Sequence, residues 1–457
     1  MTDPVDLRTI CSEARPLAEC AARHDAKVAR IAAFLRGYRG PAPLSLRKRA
    51  VSHMVPKRGD LRRKDPKLDL TDLCEILHVD PERRICVAEP GVTFVDLVAA
   101  TLRHGLVPLV VPELKTITIG GAVSGCSIES MSYKIGGFHD TCLEYEVVTA
   151  RGEVLTCTPD GEHALIFQMI HGAFGTLGVL TKLTFRLIPA KPFVKITYRK
   201  YAALADYLAA IRAEFERPEH DFMDGIIHAP DELVLSLGDF VDRAPYTSDY
   251  SWMKIYYQST RERPEDYLST ADYFFRYDRG VTNVRPRRWL PRLLFGKWLH
   301  SDRVLRIADK VNWLLRRERP TITLDVFMPI SRVPAFFAWY RREFGFFPLW
   351  CVPYRRVRDY EWINPAWFEG MEDQLYLDLA IYGMRQRGDR DYVRLMEEGL
   401  RQHGGIKTLI AHNQYDEAEF WQIWNRPNYD AVKRLTDPDN LFRDLYQKTC
   451  RASQGRP

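Results

Sequence analysis

Two glycine clusters constrain this chain more than any other feature. The first runs Thr118-Ile119-Gly120-Gly121 to Gly125, and the second is Gly172-Ala173-Phe174-Gly175-Thr176-Leu177-Gly178. Glycine at short spacing removes side chains and permits positive φ, so backbone N–H groups can approach and cradle an anion. The first cluster leads into Ser127, Glu129, Ser130, Ser132 and the pair Gly136-Gly137, a polar loop too elaborate for a simple turn. The second leads into Val179, Thr181, Leu183, Phe185 and Leu187, which alternate with Lys182, Thr184 and Arg186 as a half-buried strand does. Neither cluster reads G-x-G-x-x-G, so a Rossmann dinucleotide site lacks its fingerprint. Two tight turns flanking a β-hairpin are the plain alternative for either cluster alone.

Together, Thr118-Ile119-Gly120-Gly121 and Gly175-Thr176-Leu177-Gly178-Val179-Leu180-Thr181 resemble the flavin-binding domain of the vanillyl-alcohol-oxidase-like (PCMH-type) FAD enzymes. Pro112-Glu113-Leu114, Ser127-Ile128-Glu129-Ser130, Lys134, Gly136, Cys157-Thr158-Pro159, Ile188-Pro189-Ala190-Lys191 and Val194-Lys195 narrow the resemblance to the Δ24-sterol reductases of the seladin or Diminuto type. Leu375-Tyr376-Leu377-Asp378, Tyr382-Gly383 and Glu419-Phe420-Trp421 continue it, so that it covers most of the chain from about Ser45 to Cys450. The resemblance implies an α+β fold, with a PCMH-type FAD-binding domain of two α/β subdomains plus a mixed α+β cap. It also implies FAD as cofactor, NADPH as electron donor, and reduction of a C=C bond in a sterol-like or isoprenoid side chain. In that family the backbone of such loops wraps the FAD pyrophosphate and isoalloxazine. The expected cofactor contacts are therefore Pro112, Glu113, Thr118, Ile119, Gly120, Gly121, Gly125, Ser127, Ile128, Gly175, Thr176, Gly178 and Val179. Other branches of the superfamily oxidise an alcohol on a sugar, polyol or polyprenyl-linked substrate, and that is the alternative.

The expected organisation is an N-terminal helical segment 1–40, an FAD-binding domain 41–192, a substrate or cap domain 193–410, and a C-terminal return 411–457 packing on the FAD domain. Within the second segment Leu44–Leu46 and Ile85–Ala88 read as strands, and Leu68–Val79 as a strand and turn. Thr93 with Asp96 caps an amphipathic helix that Gly105 ends. Glu144–Ala150 and Glu153–Cys157 alternate across Arg151-Gly152 as a hairpin. Further on, Tyr201–Phe215 reads as a helix, and Leu233–Leu237, Thr321–Phe327 and Gln374–Ile381 as strands. After the first strand this enzyme class usually has a glycine-rich turn, often with a histidine that attaches flavin covalently. Here the turn is Arg47-Lys48-Arg49-Ala50-Val51-Ser52-His53, without glycine. Its basic residues either offset the phosphates or form a solvated loop, and His53 lacks the G-G-H context, so FAD is expected to bind noncovalently.

An isolated trisubstituted alkene is not electron-poor, so hydride cannot simply add to it. One carbon must be protonated as hydride arrives at its neighbour, which requires a general acid in a dry, apolar site. Glu129, His412 and Tyr382 are the candidates, with Lys134 as a charge partner for reduced flavin. Each has a plain alternative: a carboxylate bonded to loop amides, a structural histidine, a core tyrosine and a surface lysine.

Nine cysteines are scattered without C-x-x-C, which excludes the common zinc and iron–sulfur spacings and fits reduced thiols in a cytosol. The net charge of +6 comes without a nucleic-acid motif. The charged N-terminus shows no signal peptide, and no run reaches the ~18 apolar residues of a membrane span. Because the eukaryotic Δ24-reductases carry an N-terminal anchor, a cytoplasmic, soluble relative is expected. Residues 285–319 mix Arg and Lys with Trp and Leu. They read as a peripheral membrane contact or as a helix pair covering the core. A flavin-free, membrane-binding scaffold is the third reading.

Overall fold

The computed structural model describes residues 9–50, 59–252, 254–278 and 321–456, so His53 and the basic aromatic stretch 285–319 lie outside the described residues. The strand Val179–Pro189 buries every second residue, from Val179 through Leu187. That alternation suits a strand with neighbours on both edges and one face on a core. It pairs antiparallel with Ile85–Ala88 on one side and Cys142–Val148 on the other, and its far end takes Leu106–Pro108. Ile76–Asp80 and Val154–Cys157 extend this sheet to six strands among the described residues. The hairpin expected across Arg151-Gly152 is present, with Gly152 at φ +75°.

The helix Leu17–Gly37 lies over this sheet and buries His24, Val28, Ile31 and Leu35. His24 is 1% exposed and stands between two carboxylates, with Nδ1 2.9 Å from Glu89 and Nε2 2.8 Å from Glu146. Lys27 adds bonds of 2.9 Å to Glu89 and Glu75. Burial by itself would lower the pKa of His24. Hydrogen bonds to Glu146 and Glu89, and their charges, outweigh it and raise the value to about 9. Near its start the chain also carries a Cys11–Cys20 disulfide, where the sequence led us to expect only reduced thiols. The short helix Cys11–Ala14 and the turn after it bring the two Cα atoms to 5.9 Å, within bridging range.

The second sheet has nine strands among the described residues. Its strand Leu375–Met384 divides two cores, because successive side chains point to opposite faces. Leu375, Leu377, Leu379 and Ile381 join Tyr207, Phe336 and Met396 from the helices Leu204–Glu216, Val333–Glu343 and Tyr392–His403. Tyr376 and Ala380 face the other way, into the core shared with the first sheet. Cross-strand register places Tyr354 beside Tyr376, and both Val352 and Phe327 beside Asp378, on that inner face. The segment Thr321–Phe327, expected as one strand, is two: Ile322–Leu324 and Val326–Pro329. The break falls at Asp325, whose carboxylate accepts from Tyr382 Oη at 2.6 Å.

The C-terminal stretch returns to the first sheet. Leu44 N donates to Leu441 O and Ala150 N to Thr436 O, each at 2.7 Å. From the helix Arg426–Thr436, Tyr429 Oη reaches Thr176 Oγ1 at 2.8 Å and Lys433 Nζ reaches Thr176 O at 2.9 Å.

His24 has its pKa raised on folding, so its stabilisation is full below the unfolded value near 6.5 and is lost as pH rises through about 9. The thermal midpoint of the wild-type chain should therefore fall more steeply between pH 7 and 9.5 than that of His24→Gln. The difference corresponds to about 3 kcal/mol at most, and scanning calorimetry across that range measures it.

Candidate active site

The first glycine cluster is not an open loop. Thr118 caps a short helix, Ile119–Ser124, and its Oγ1 accepts from Gly121 N at 3.2 Å. Gly120 N donates to Pro90 O at 3.0 Å. The glycine amides of the first cluster are thus engaged inside the protein. Gly120 and Gly178 are glycine for packing: an added Cβ would stand 2.5 Å from Pro90 Cβ and 3.0 Å from Val147 Cγ1, respectively. Ile119, Thr176 and Val179 are fully buried, with the Thr176 hydroxyl donating to Ala173 O at 2.7 Å. Ser127 lends its carbonyl to Phe138 N, and Pro112 is buried.

The remaining glycines face a cleft. A Cβ on Gly121 would lie 3.7 Å from Lys48 Nζ, and one on Gly175, at φ +68°, 4.0 Å from Lys448 Nζ. Protein crowds Lys48 although its side chain stays exposed, as happens along an internal cleft, and burial lowers its pKa. Lys448 Nζ donates to Phe174 O at 2.6 Å. Among the described residues neither lysine has a carboxylate partner. Two ammonium groups of this kind, one over each glycine cluster, repel one another until an anion is placed between them. A pyrophosphate supplies that anion, so the residues present fit the phosphate end of FAD, with the lysines providing the opposing charge.

The same glycine loops open onto an apolar cavity of about 100 Å³ between the two sheets. Gly125, Cys126, Ile128, Gly172 and Phe174 form its wall on the glycine side, and Phe327, Tyr354, Tyr376 and Ile406 that of the second sheet. Trp362, Ile363, Phe368 and Trp424 close it, while Arg356 and Lys407 bring charge to its margin. Lys407 is neutralised by Glu397 at 3.1 Å. At one side Tyr354 Oη hydrogen-bonds to Tyr360 Oη, and Tyr360 donates to Asp140 Oδ2 at 2.9 Å. Asp140 also accepts from Gly137 N at 2.9 Å, and its Oδ1 lies 3.4 Å from Nε of Arg358. Burial pushes both phenols well above the usual tyrosine value, so they stay protonated. His139 lines the cavity with both ring nitrogens lacking a hydrogen bond, and burial lowers its pKa.

The acid candidates named from sequence go to three separate places, none lining this cavity. Glu129 is 2% exposed and its Oε1 lies 3.0 Å from Nη2 of Arg276. That guanidinium also meets Asp224 at 2.9 Å and stacks over Tyr273 with 4.2 Å to the ring centroid. Burial, with Asp224 adding to it, raises the Glu129 pKa despite Arg276. Glu129 therefore knots two elements together. Tyr382 donates to Asp325, and His412 lends its carbonyl to Lys407 Nζ at 2.7 Å. Lys134 bonds to His220 O at 2.8 Å, away from the cavity. Glu113 joins Asp325 and Asp378 instead: burial raises its carboxyl to about 8, and the charges of Glu129 and Asp325 push the same way. Sequence reasoning missed Tyr354, Tyr360 and Asp140. The only signal was position, since Asp140 follows the Gly136-Gly137 pair and Tyr360 ends the charged run Arg355-Arg356-Val357-Arg358-Asp359.

Residues 16–158 match the FAD binding domain family. The human Δ24-sterol reductase is 27% identical over 413 residues, 86% of this chain and 79% of the human protein. The Arabidopsis thaliana Δ24-sterol reductase is 25% identical over 430 residues, covering 84% of this chain and 76% of the plant protein. Cytokinin dehydrogenase 10 of Oryza sativa subsp. japonica is 36% identical over 102 residues, 22% of this chain and 18% of that protein. The chain thus carries an FAD binding domain, as an FAD-dependent oxidoreductase does, and is similar over most of its length to the Δ24-sterol reductases.

Proposed function

We propose that this protein reduces a C=C bond in a sterol-like or isoprenoid side chain, with NADPH as the source of electrons. In this reading residues 41–192 hold the cofactor and 193–410 the substrate. The observation that carries it is the cavity wall, mostly apolar and aromatic, with hydroxyls linked to a buried carboxylate, the His139 ring, and Arg356 and Lys407 at its margin. Such a wall receives a branched hydrocarbon end, whereas its few polar groups are too sparse to meet the many hydroxyls of a sugar. FAD, when bound, supplies the hydride. Tyr354 gives its proton to the other alkene carbon, Tyr360 passes its own to Tyr354, and Asp140 refills Tyr360 with a proton that enters beside Arg358. Lys48 and Lys448 hold the pyrophosphate, and Gly125 and Gly172 keep side chains out of the space beside the cavity.

One observation favours a second reading. Tyr360 donates to Asp140, so the Tyr354 proton points along the same path towards the carboxylate. That sense suits a base that removes a proton from an alcohol, as an oxidase or dehydrogenase requires. Neither reading involves a membrane-spanning helix: no helix among the described residues is long and apolar enough to cross a bilayer. A peripheral contact through 285–319 is part of the proposal and falls outside the described residues, and a cytoplasmic location accompanies it.

Tyr360→Phe and Asp140→Asn should each slow alkene reduction by roughly 10²–10⁴-fold with FAD content unchanged, which rapid-quench assay of the purified variants measures. Glu129→Gln should instead lower stability by about 3 kcal/mol or more, because Arg276 loses a buried partner, and urea denaturation reads that loss. Anaerobic NADPH should bleach the flavin spectrum of the wild-type chain. Flavin that ignores NADPH, yet is reduced by an alcohol and reoxidised by oxygen with peroxide formation, selects the second reading.

A further inference from the structure

We propose that Lys448 is a cofactor-binding lysine that takes up a proton as the FAD pyrophosphate is seated, so that capture of the cofactor is coupled to pH. This rests on reading the cleft between Lys48 and Lys448 as the pyrophosphate site. Lys448 comes from the C-terminal stretch, and its Nζ is fixed by the carbonyl of Phe174 at 2.6 Å, one residue before Gly175. A side chain on Gly175 would begin 4.0 Å from that nitrogen, so the glycine leaves the space in front of it open.

Among the described residues, the charged groups that act most on Lys448 come from four surrounding elements. Lys48 follows the strand Ser45–Arg47, Arg62 lies in the turn Leu61–Arg63, Lys67 opens the strand Lys67–Asp69, and Lys433 lies in the helix Arg426–Thr436. All four are cations. The carboxylates of this region hold other partners: Asp60 binds Arg62 and Asp65 binds Arg443, each at 2.7 Å. Asp437 binds Lys433 at 2.6 Å, and Asp444 accepts from Gln447 N at 2.7 Å. Burial first, and then the charges of Arg62, Lys48, Lys433 and Lys67, bring the Lys448 ammonium down to about 7.

At neutral pH Lys448 is thus divided between charged and neutral forms. A pyrophosphate placed between it and Lys48 reverses the local field and favours the ammonium. The proton comes from solvent, and no bond forms or breaks on the cofactor. By linkage, affinity for FAD falls as pH rises above the value of the free protein, because each binding event must then draw a proton from a scarcer supply.

The test is calorimetric titration of FAD into the full-length apoprotein, at pH 7.5 in phosphate and in Tris, with affinity also followed by flavin fluorescence to pH 9. Uptake of roughly 0.7 proton per FAD is expected at pH 7.5, with affinity weakening about tenfold per pH unit above that. Lys448→Met should bind FAD more weakly and without this uptake. Lys448→Arg, always charged, should keep the affinity and lose the pH slope; it decides the matter if Lys448→Met does not fold. Wild-type protein that binds FAD with the same apparent heat in both buffers overturns the inference and leaves the pyrophosphate reading intact, as does a Lys448→Arg variant with the wild-type slope. A folded chain that takes up no FAD overturns both.

Discussion

A guanidinium removed from water holds the two halves of this active site in register. Arg276 has no exposed side-chain surface, and it binds Glu129 from the loop after the first glycine cluster and Asp224 from the second sheet. Three tyrosine rings enclose it, those of Tyr256, Tyr273 and Tyr277. Tyr277 and Trp350 also donate to Asp224, at 2.7 and 3.0 Å. Moving any of these apart would strand a charge at low dielectric, which costs several kcal/mol. Ser130 O accepts from Met223 N at 2.8 Å beside the knot, so the loop and the sheet strand are joined by backbone as well as by charge. The cavity exists where it does because this contact sets how the inner face of the second sheet meets the glycine loops.

Charge is distributed unevenly along that meeting surface. Unneutralised lysines gather over the glycine clusters, whereas the inner face of the second sheet carries Asp325 and Asp378 near Glu113. Burial, with the charges of Asp325 and Glu113 adding to it, raises Asp378 well above the usual carboxylate range. Such a group stays protonated. An anionic cofactor end is attracted to one part of the cleft, and the other part is rich in held protons and poor in mobile charge. The reduction proposed for this site would draw on both.

The regular elements were legible from sequence where pattern and packing agree. Val179–Pro189 alternates because one face is core, Thr93 caps its helix, and Gly152 turns its hairpin, each a short-range cause visible in the residues themselves. The cavity was less legible because its walls come from distant stretches. Tyr360 closes a run of arginines that reads as solvated surface, yet it is 5% exposed and bonded to Asp140, 220 residues away in the chain. Glycines misled in the opposite direction. Gly120 and Gly178 look like members of an anion cradle, but Pro90 leaves no room for a side chain at the first, and a φ of +120° with Val147 close by disfavours one at the second. A glycine motif records only that a Cβ is excluded, and the sequence cannot tell whether ligand or protein excludes it. Glu129 misled for a related reason: an acid in a polar loop looks available until its partner, Arg276, is found 147 positions further along.

The dependence of the second glycine cluster on the C-terminal stretch bears on how the protein is made. Thr176 is gripped by Tyr429 and Lys433, and Lys448 reaches Phe174 across 274 residues of sequence. At ribosomal speeds of about 5–20 residues per second, the cluster waits on the order of tens of seconds for those partners. Throughout that interval the nascent chain presents the glycine turns without the residues that hold them. Closure of the second glycine cluster therefore waits until residue 448 has been made, and a nascent chain that stops short of it carries the glycine turns without the lysine that ties them to the returning stretch.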